Sequence, residues 1–400
     1  MARGTRIHLR ACVLSVLLAG CADVLGLATA APIPNVCVRD RDCPPDWLCT
    51  NSQCISNTCA TPGQQQCNGL MLFSCRDDRT WEPEPQKCPS GCDVDHCTLA
   101  RSCERLDACG ELSCCDSIQI EQASFQLSYA APEQIGGETA FPAKRVSRSV
   151  RPFMLDRFEV TVGRFKAFIA DFEAARHPLP GSGKHPGFAD SGWQERWNDT
   201  GGPLPQMVED LVRSLRSRGE RLSPDDDPRL PVRGVSWHLA AAFCIWDGAR
   251  LPTEAEWMYA ATGGEDRVFP WRGDADPQIT PERAVYTGDG VTPDGPAAVG
   301  THPSGRGPFG HEDLAGNVQE WVADVYTSVL PATCHGQTDT SIDEFECLQR
   351  GSDDADRVLH GGAYQNPPIQ LRNARRSFTG PYEAERDFGI RCARDLPARN

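Results

Sequence analysis

The sequence lacks three features that would assign it to common functional classes. It has no excess of positive charge, because 55 Asp and Glu residues outweigh 40 Lys and Arg residues and give a net charge of −15. Binding to nucleic acid, which depends on neutralising phosphates, therefore has no electrostatic support. Beyond its N-terminal segment it has no apolar run long enough to cross a membrane. It also lacks the Gly-x-Ser-x-Gly, phosphate-loop and His-Glu-x-x-His motifs of familiar enzymes.

Cysteine, by contrast, is abundant, with 20 residues, of which 14 lie between Cys37 and Cys115. Large apolar residues are few there, so such a segment cannot bury much core and must be stapled. We predict that residues 37–115 form a disulfide-stapled segment in an oxidising compartment, with a connectivity that the sequence does not define. The spacing of Cys92 and Cys97 beside His96 is close to that of zinc ligands, but export disfavours zinc thiolates.

An export signal is predicted at the N-terminus. Residues 1–20 combine a basic start with a short apolar run and end at Leu18–Cys21, which resembles the cleavage box of bacterial lipoproteins. The resemblance implies removal of residues 1–20, lipid on Cys21 and a linker over residues 21–36. The protein would then be anchored to a membrane of the bacterial cell envelope, facing the periplasm or the cell surface. Ordinary secretory cleavage near Ala30 is the alternative.

Two helix starts can be predicted within residues 231–264. Ser236 is a suitable N-cap ahead of apolar residues that recur at helical spacing. Thr253 and Glu256 form a Thr-x-x-Glu capping box for a second helix, which a glycine pair at 263–264 ends.

The sequence of residues 231–264 closely resembles the signature of the formylglycine-generating enzyme family, also called the sulfatase-modifying factor family. Further segments resemble the same family in the same order: Phe153–Ile169, Phe269–Asp274, Glu312–Tyr326, His360–Tyr364 and Asp387–Asp395. The resemblance covers residues 116–398. It implies an α+β domain there, related to C-type lectins, with little regular secondary structure: few helices, short twisted strands and long loops.

Within this domain, alternation of apolar and polar residues predicts strands over Ile118–Ser128 and Phe153–Val160, and Thr161 caps a following helix. The stretch His177–Leu230 is a long polar loop, and loops of this length are often functional. Its large side chains could line a ligand groove or simply anchor the loop: His185, Trp193 and Trp197.

The segment Asp313–Glu320 carries two carboxylates on either side of a Gly-Asn bend. Oxygen-only ligation of this kind suits calcium. The family resemblance places a structural calcium site on Asp313, Gly316, Val318 and Glu320. The alternative is that the two carboxylates only brace the loop through backbone N–H groups.

The large domain contains four cysteines, at positions 244, 334, 347 and 392. The resemblance implies that Cys244 pairs with Cys392. Cys334 and Cys347 are then left to pair with each other.

Catalytic members of the family bind copper(I) through two thiolates that follow a Gly-Gly-Ser-Tyr motif. Here the corresponding segment is Gly361–Arg372, with Asn366 at the first thiolate position and no further cysteine before Cys392. Because copper(I) requires soft sulfur ligands, we predict that copper is not bound and that formylglycine-generating oxidase activity is absent.

The function that remains is binding. Tyr364, Asn366 and Arg372 combine aromatic, amide and guanidinium groups, which suit a peptide, a glycan or an envelope protein as ligand. An enzyme of the wider family, with a metal or cofactor, is the alternative; its ligands would be His302, His311 and His360 with a nearby Asp. A purely structural envelope component is a third interpretation.

Overall fold

The computed structural model describes residues 112–129, 144–173, 178–188, 190–198, 227–271, 278–288, 290–332 and 347–396. Before residue 112 it describes residues 47–50, 53–56, 62, 65–68, 71–76, 86–87, 92–93, 96–97, 101–103 and 108–109. The predicted signal peptide, Cys21, the linker and Cys334 lie outside these residues. Among the described helices, none combines the length and the apolar character that crossing a bilayer requires.

The chain divides into two compact units, residues 1–64 with 74–84, and residues 65–73 with 85–400. The described elements before residue 114 are one turn of 3-10 helix (Arg101–Cys103) and short strands: β1 (Trp47–Thr50), β2 (Gln53–Ser56), β3 (Gln65–Asn68), β4 (Met71–Ser74), β5 (Gln86–Lys87), β6 (Cys92–Asp93), β7 (His96–Cys97), β8 (Ala108–Cys109) and β9 (Leu112–Ser113). They pair locally: β1 with β2, β6 with β7, β8 with β9, and β3, β4 and β5 in one sheet.

The described residues of the large domain form three sheets, built from β10 (Ser117–Ile120), β11 (Ala123–Tyr129), β12 (Lys144–Val150), β13 (Phe153–Asp156), β14 (Gln319–Val325), β15 (Arg357–His360), β16 (Ser377–Thr379), β17 (Phe388–Gly389) and β18 (Ala393–Asp395). Their strand orders are β10-β13-β18, β11-β12 and β16-β15-β14-β17. All pairs are antiparallel except β14 with β17. Mixed sheets of short strands fit the predicted α+β class with little regular structure.

The single strand predicted over Ile118–Ser128 is in fact two strands. The first part, β10, pairs with β13, whereas β11 pairs with β12. The chain changes partner at Glu121 and Gln122, because the two parts belong to different sheets.

Three α-helices are present in the described part of the large domain: α1 (Val162–Glu173), α2 (Trp237–Trp246) and α3 (Glu254–Thr262). Both predicted caps are confirmed. The Ser236 side chain accepts a hydrogen bond from the N–H of Leu239, and Thr253 with Glu256 makes both bonds of the capping box. Gly263 ends α3 with a left-handed φ of 65°.

The helices position two apolar clusters around the sheets. Phe165 and Phe168 of α1 pack against Phe243 of α2, with ring centroids 5.4 and 5.7 Å apart. Trp257 of α3 is fully buried in a second cluster with β10–β15. This packing fixes the helix caps relative to β14 and β15, the strands beside which the candidate sites lie.

Disulfides close both ends of the domain. Cys103 pairs with Cys115 and Cys109 with Cys114, so the predicted stapling is present in the described end of the cysteine-rich segment. Cys244 and Cys392, the pair that the resemblance implied, are also joined. Cys347 is disulfide-bonded as well.

The end of the cysteine-rich segment packs against the large domain. Ser102, which precedes the boundary expected at residue 116, donates its N–H to the Asp247 carboxylate at 2.8 Å. Its hydroxyl accepts from Nε of Arg164 at 2.9 Å.

Candidate functional site

The loop predicted to bind calcium has a backbone that few residue types adopt. Asp313, Gly316 and Asn317 have left-handed φ angles of 60°, 83° and 59°. A Cβ at Gly316 would lie 2.3 Å from the carbonyl oxygen of Val285, so this position requires glycine. The bend carries the chain from Asp313 into β14, which bears Glu320.

Both carboxylates of the predicted calcium site have protein donors. Oδ2 of Asp313 accepts from the N–H of Gly300 at 2.7 Å, which is the backbone bracing considered as the alternative. Both oxygens of Glu320 accept from the Arg391 guanidinium, at 2.7 and 2.9 Å. One of them also accepts from the indole N–H of Trp257 at 2.6 Å.

A third carboxylate at this loop was not predicted. Glu159 is fully buried and accepts from Nδ2 of Asn317 at 2.6 Å and from the N–H of Val318 at 3.0 Å. Its signal in the sequence was a charged residue directly between the apolar residues Phe158 and Val160. A charged residue between two apolar residues indicates a buried polar contact, but the sequence does not reveal the partner in that contact.

The surroundings of this loop favour the neutral, protonated form of two of its carboxyl groups. Burial raises the pKa of Asp313 to about 6. Burial, followed by repulsion from Asp313 and Glu320, raises the pKa of Glu159 well above its usual value. Arg391, also fully buried, lowers both pKa values in opposition to these effects.

The residue types at this loop match calcium, since carboxylate and carbonyl oxygens are its preferred ligands, but Arg391 already holds both oxygens of Glu320. Asp313 and Glu320 would supply carboxylates, and Gly316 and Val318 would supply backbone carbonyls. In the described ranges no three His, Cys, Asp or Glu side chains are placed to hold a metal ion together. A calcium ion here would therefore depend on the backbone carbonyls as much as on the side chains.

The segment Gly361–Arg372, which corresponds to the copper-binding segment of catalytic relatives, lies beside the same loop. The N–H of Gly316 donates to the carbonyl of Gly361 at 3.0 Å, and the N–H of Tyr364 donates to the carbonyl of Asn317 at 2.9 Å. The proposed groove residues and the proposed calcium loop are thus joined by backbone hydrogen bonds.

The three predicted groove residues differ in how far they are exposed. Tyr364 is only 4% exposed, and its hydroxyl accepts from Arg233 at 3.3 Å. Asn366 is half-buried, and its Oδ1 accepts from the N–H of Ala363 at 2.8 Å. Arg372 is also half-buried.

A cavity of about 320 Å³ lies in a different part of the domain. His185, Trp193 and Trp197 line it, together with residues of α2 and of the segment 348–357. Tyr364, Asn366 and Arg372 are not among its lining residues.

The three histidines of the metal-enzyme alternative have separate surroundings. His360 is buried, with Nε2 3.0 Å from Glu254 and its ring stacked on Trp257. His311 is fully buried, and burial lowers its pKa well below the usual value. His302 is half-buried, and its Nδ1 lies 3.0 Å from the hydroxyl of Thr301. In the described part of the chain, none of these histidines belongs to a group of three His, Cys, Asp or Glu side chains that could hold a metal ion.

Comparison with known proteins agrees with the family resemblance of the ordered motifs. The family model of the sulfatase-modifying factor enzyme 1-like domain matches residues 107–396. The chain belongs to this family. Its sulfatase-modifying factor domain therefore occupies most of the sequence.

Members of the family with different names are similar to this chain. It is 28% identical over 290 residues to the formylglycine-generating enzyme of Mus musculus, covering 66% of this chain and 70% of that enzyme. It is 32% identical over 252 residues to the hercynine oxygenase of Mycolicibacterium thermoresistibile, covering 62% and 52%. It is 35% identical over 202 residues to the serine/threonine-protein kinase pkn1 of Chlamydia pneumoniae, covering 49% and 30%. The chain thus spans under a third of the kinase's length and about half of the oxygenase's.

Proposed function

We propose that this sulfatase-modifying factor domain binds a ligand and does not generate formylglycine. The observation that supports this is the segment Gly361–Arg372, which contains no cysteine. Asn366 stands at the first thiolate position, and its amide oxygen is hydrogen-bonded to Ala363 within the segment. An amide cannot replace the soft thiolate that copper(I) requires.

The next cysteine along the chain cannot supply the missing sulfur. Cys392 is joined to Cys244, and both side chains are fully buried. A disulfide sulfur is not a thiolate, and breaking this bond would remove a link that closes much of the domain.

The ligand class follows from the side chains beside the segment. Tyr364, Asn366 and Arg372 would offer ring, amide and guanidinium groups to a peptide, a glycan or an envelope protein that carries acid groups. A calcium ion on Asp313 and Glu320 would hold the neighbouring loop rigid. The fold would be related to that of C-type lectins, which its few helices, short strands and long loops support.

The domain is proposed to act at the bacterial cell envelope. The Leu18–Cys21 box supports lipid attachment to Cys21, and the disulfide-stapled segment would then separate the domain from the membrane. Mass spectrometry of the mature protein should find a diacylglyceryl group on Cys21, and Cys21→Ala should release the protein from membranes. A mature N-terminus near Ala30 would reject the anchor.

A second candidate is an enzyme of the wider family with a metal cofactor. It is supported by the similarity to a formylglycine-generating enzyme and a hercynine oxygenase. Elemental analysis of the exported protein separates the candidates: calcium alone favours binding, whereas stoichiometric iron or copper favours an oxidoreductase.

The direct test of the proposal is an oxidation assay. The purified protein is incubated with copper(I), oxygen and a Cys-containing sulfatase peptide, and aldehyde formation is followed by mass spectrometry. We expect no aldehyde, while a formylglycine-generating enzyme run in parallel converts the peptide. Turnover by this protein would overturn the proposal.

Calcium is tested separately by thermal unfolding. A ligand that binds only the folded state raises the melting temperature by mass action, so calcium should raise it relative to chelator. Asp313→Asn, which keeps a residue that tolerates the left-handed backbone, should reduce this shift. Asp324→Asn, a buried carboxylate outside the loop, is the matched control and should retain it. Identical melting with calcium and chelator would remove calcium from the account.

A further inference from the structure

The cavity of about 320 Å³ is surrounded by both aromatic and charged side chains. Trp193 and Trp197 meet edge to face with centroids 4.9 Å apart, and Trp197 meets Trp237 in the same way at 5.8 Å. All three indoles line the cavity. Its volume lies at the lower end of the range for small-molecule pockets.

Most of the charges around the cavity are already neutralised by pairing. Nη2 of Arg196 donates to Asp353 at 2.7 Å, and Arg350 pairs with Asp190. Arg250 is held by Glu256 at 2.7 Å. These pairs leave little free charge for a ligand.

Arg357, at the start of β15, is different. It lines the cavity and is 6% exposed. Its Nη1 donates to the carbonyl of Ala323 at a long 3.4 Å, and its Nε has no hydrogen-bond partner in the described part of the chain. The guanidinium lies over the ring of Trp237, with Cζ 4.1 Å from the centroid. Burial lowers the pKa of Arg357 to about 10, and Asp353 and Asp324 offset this only in part.

Comparison with the other buried arginines shows that this environment is unusual for the domain. Among the residues that the structure describes, five of the seven buried arginines form ion pairs with carboxylates: Arg164, Arg250, Arg376, Arg391 and Arg394. Arg148 donates to two backbone carbonyls, at 2.7 and 3.0 Å. Arg357 has one weak hydrogen bond and, within the described residues, no ion pair. A buried guanidinium that no carboxylate contacts is costly even above an indole ring, so an anion supplied from outside would stabilise it.

We propose that this cavity binds a small organic carboxylate, with the carboxylate on Arg357 and an apolar or ring-shaped body against Trp193 and Trp197. A guanidinium can bind both oxygens of a carboxylate, and indole faces suit flat or apolar groups. The cavity volume fits a ligand the size of one amino acid or one sugar acid rather than a folded partner. This site is independent of the proposed role of Tyr364, Asn366 and Arg372.

The test uses matched probes that differ only in charge. N-acetyltryptophan carries the carboxylate, and N-acetyltryptophanamide replaces it with a neutral amide; acetate and glucuronate test the anion alone and a sugar acid. Titration calorimetry on the full-length exported protein should show saturable binding of at least one of the three carboxylates. If N-acetyltryptophan is bound, N-acetyltryptophanamide should bind at least tenfold more weakly. No saturable binding by any carboxylate at millimolar concentration, or equal binding of acid and amide, would overturn the proposal.

Variants locate the site. Arg357→Met keeps an apolar stem against Trp237 but removes the charge, and should weaken carboxylate binding at least tenfold. Arg196→Met removes an arginine of the same cavity that is already paired, and should change the affinity less than threefold. If Arg357→Met does not fold, Arg357→Lys provides the second test, because it keeps the charge but loses the two-pronged donor and should weaken binding measurably. Affinity unchanged in the Arg357 variants, or lost equally in Arg196→Met, would refute the assignment.

Discussion

Breaking the Cys244–Cys392 disulfide should destabilise the domain more than breaking Cys109–Cys114, by an amount that follows from loop length. The paired residues are 148 and 5 positions apart along the chain. In the chain-entropy model, the two cross-links stabilise the folded state by about 5 and about 2 kcal/mol at about 25 °C. The four cysteines are at most 3% exposed, so replacing each by alanine has a similar packing cost. The difference of about 3 kcal/mol therefore reports the constraint on the unfolded chain.

The measurement is urea unfolding of two double variants, Cys244→Ala with Cys392→Ala and Cys109→Ala with Cys114→Ala, beside the wild type under oxidising conditions. The free energy of unfolding should fall in both variants and clearly further in the first, with two-state transitions in each. Equal losses, or a larger loss from the short loop, would show that strain or residual structure in the unfolded chain outweighs loop entropy here.

Three further variants test the buried polar groups. Arg391→Met leaves Glu320 buried without its cation and should lower the free energy of unfolding by about 3–5 kcal/mol in urea titrations; a loss under about 1 kcal/mol would contradict the buried ion pair. Thr253→Ala removes the hydroxyl acceptor at the start of α3 and should cost about 1 kcal/mol, measured in the same way, whereas an unchanged midpoint would contradict the cap. Burial raises the pKa of Asp324 from 3.8 to about 7, so the folded state holds this proton more tightly than the unfolded chain does. The contribution of the Asp324 proton to the free energy of unfolding therefore declines as pH rises from about 4 to about 7. Asp324→Asn does not titrate, so its loss of stability relative to the wild type should shrink between about pH 5 and about pH 8; an effect independent of pH would refute the shift.

The sequence predicted those features that neighbouring residues decide. The caps at Ser236 and Thr253 depend on hydrogen bonds within three residues, so their residue types were sufficient evidence. The strand predicted over Ile118–Ser128 failed for the opposite reason, since its two parts pair with strands that lie later in the chain. Alternation of apolar and polar residues reveals a strand, but not where it changes partner.

The same distinction applies to the candidate sites. The family resemblance directed attention to Asp313 and Glu320 but not to Glu159, which reaches the loop from a segment far earlier in the chain. Loop length marked Trp193 and Trp197 as possible groove residues. Their association with Arg357 depends on packing between distant segments, and no local pattern could have predicted it.

Two buried arginines show how surroundings separate a structural role from a binding role. The guanidinium of Arg391 donates to Glu320 and to backbone carbonyls of Asp156, Arg157 and Glu312. Removing it takes a donor from each of these acceptors and leaves Glu320 buried without its cation, so the expected loss is one of stability. Removal of the Arg357 guanidinium gives up one long hydrogen bond and the contact with the Trp237 ring, but it also removes a buried charge that no carboxylate contacts within the described residues. Arg357→Met should therefore unfold at nearly the wild-type midpoint while losing affinity for carboxylates. If it is instead as unstable as Arg391→Met, its guanidinium also supports the structure of the domain, and Arg357→Lys is then the variant that tests carboxylate binding.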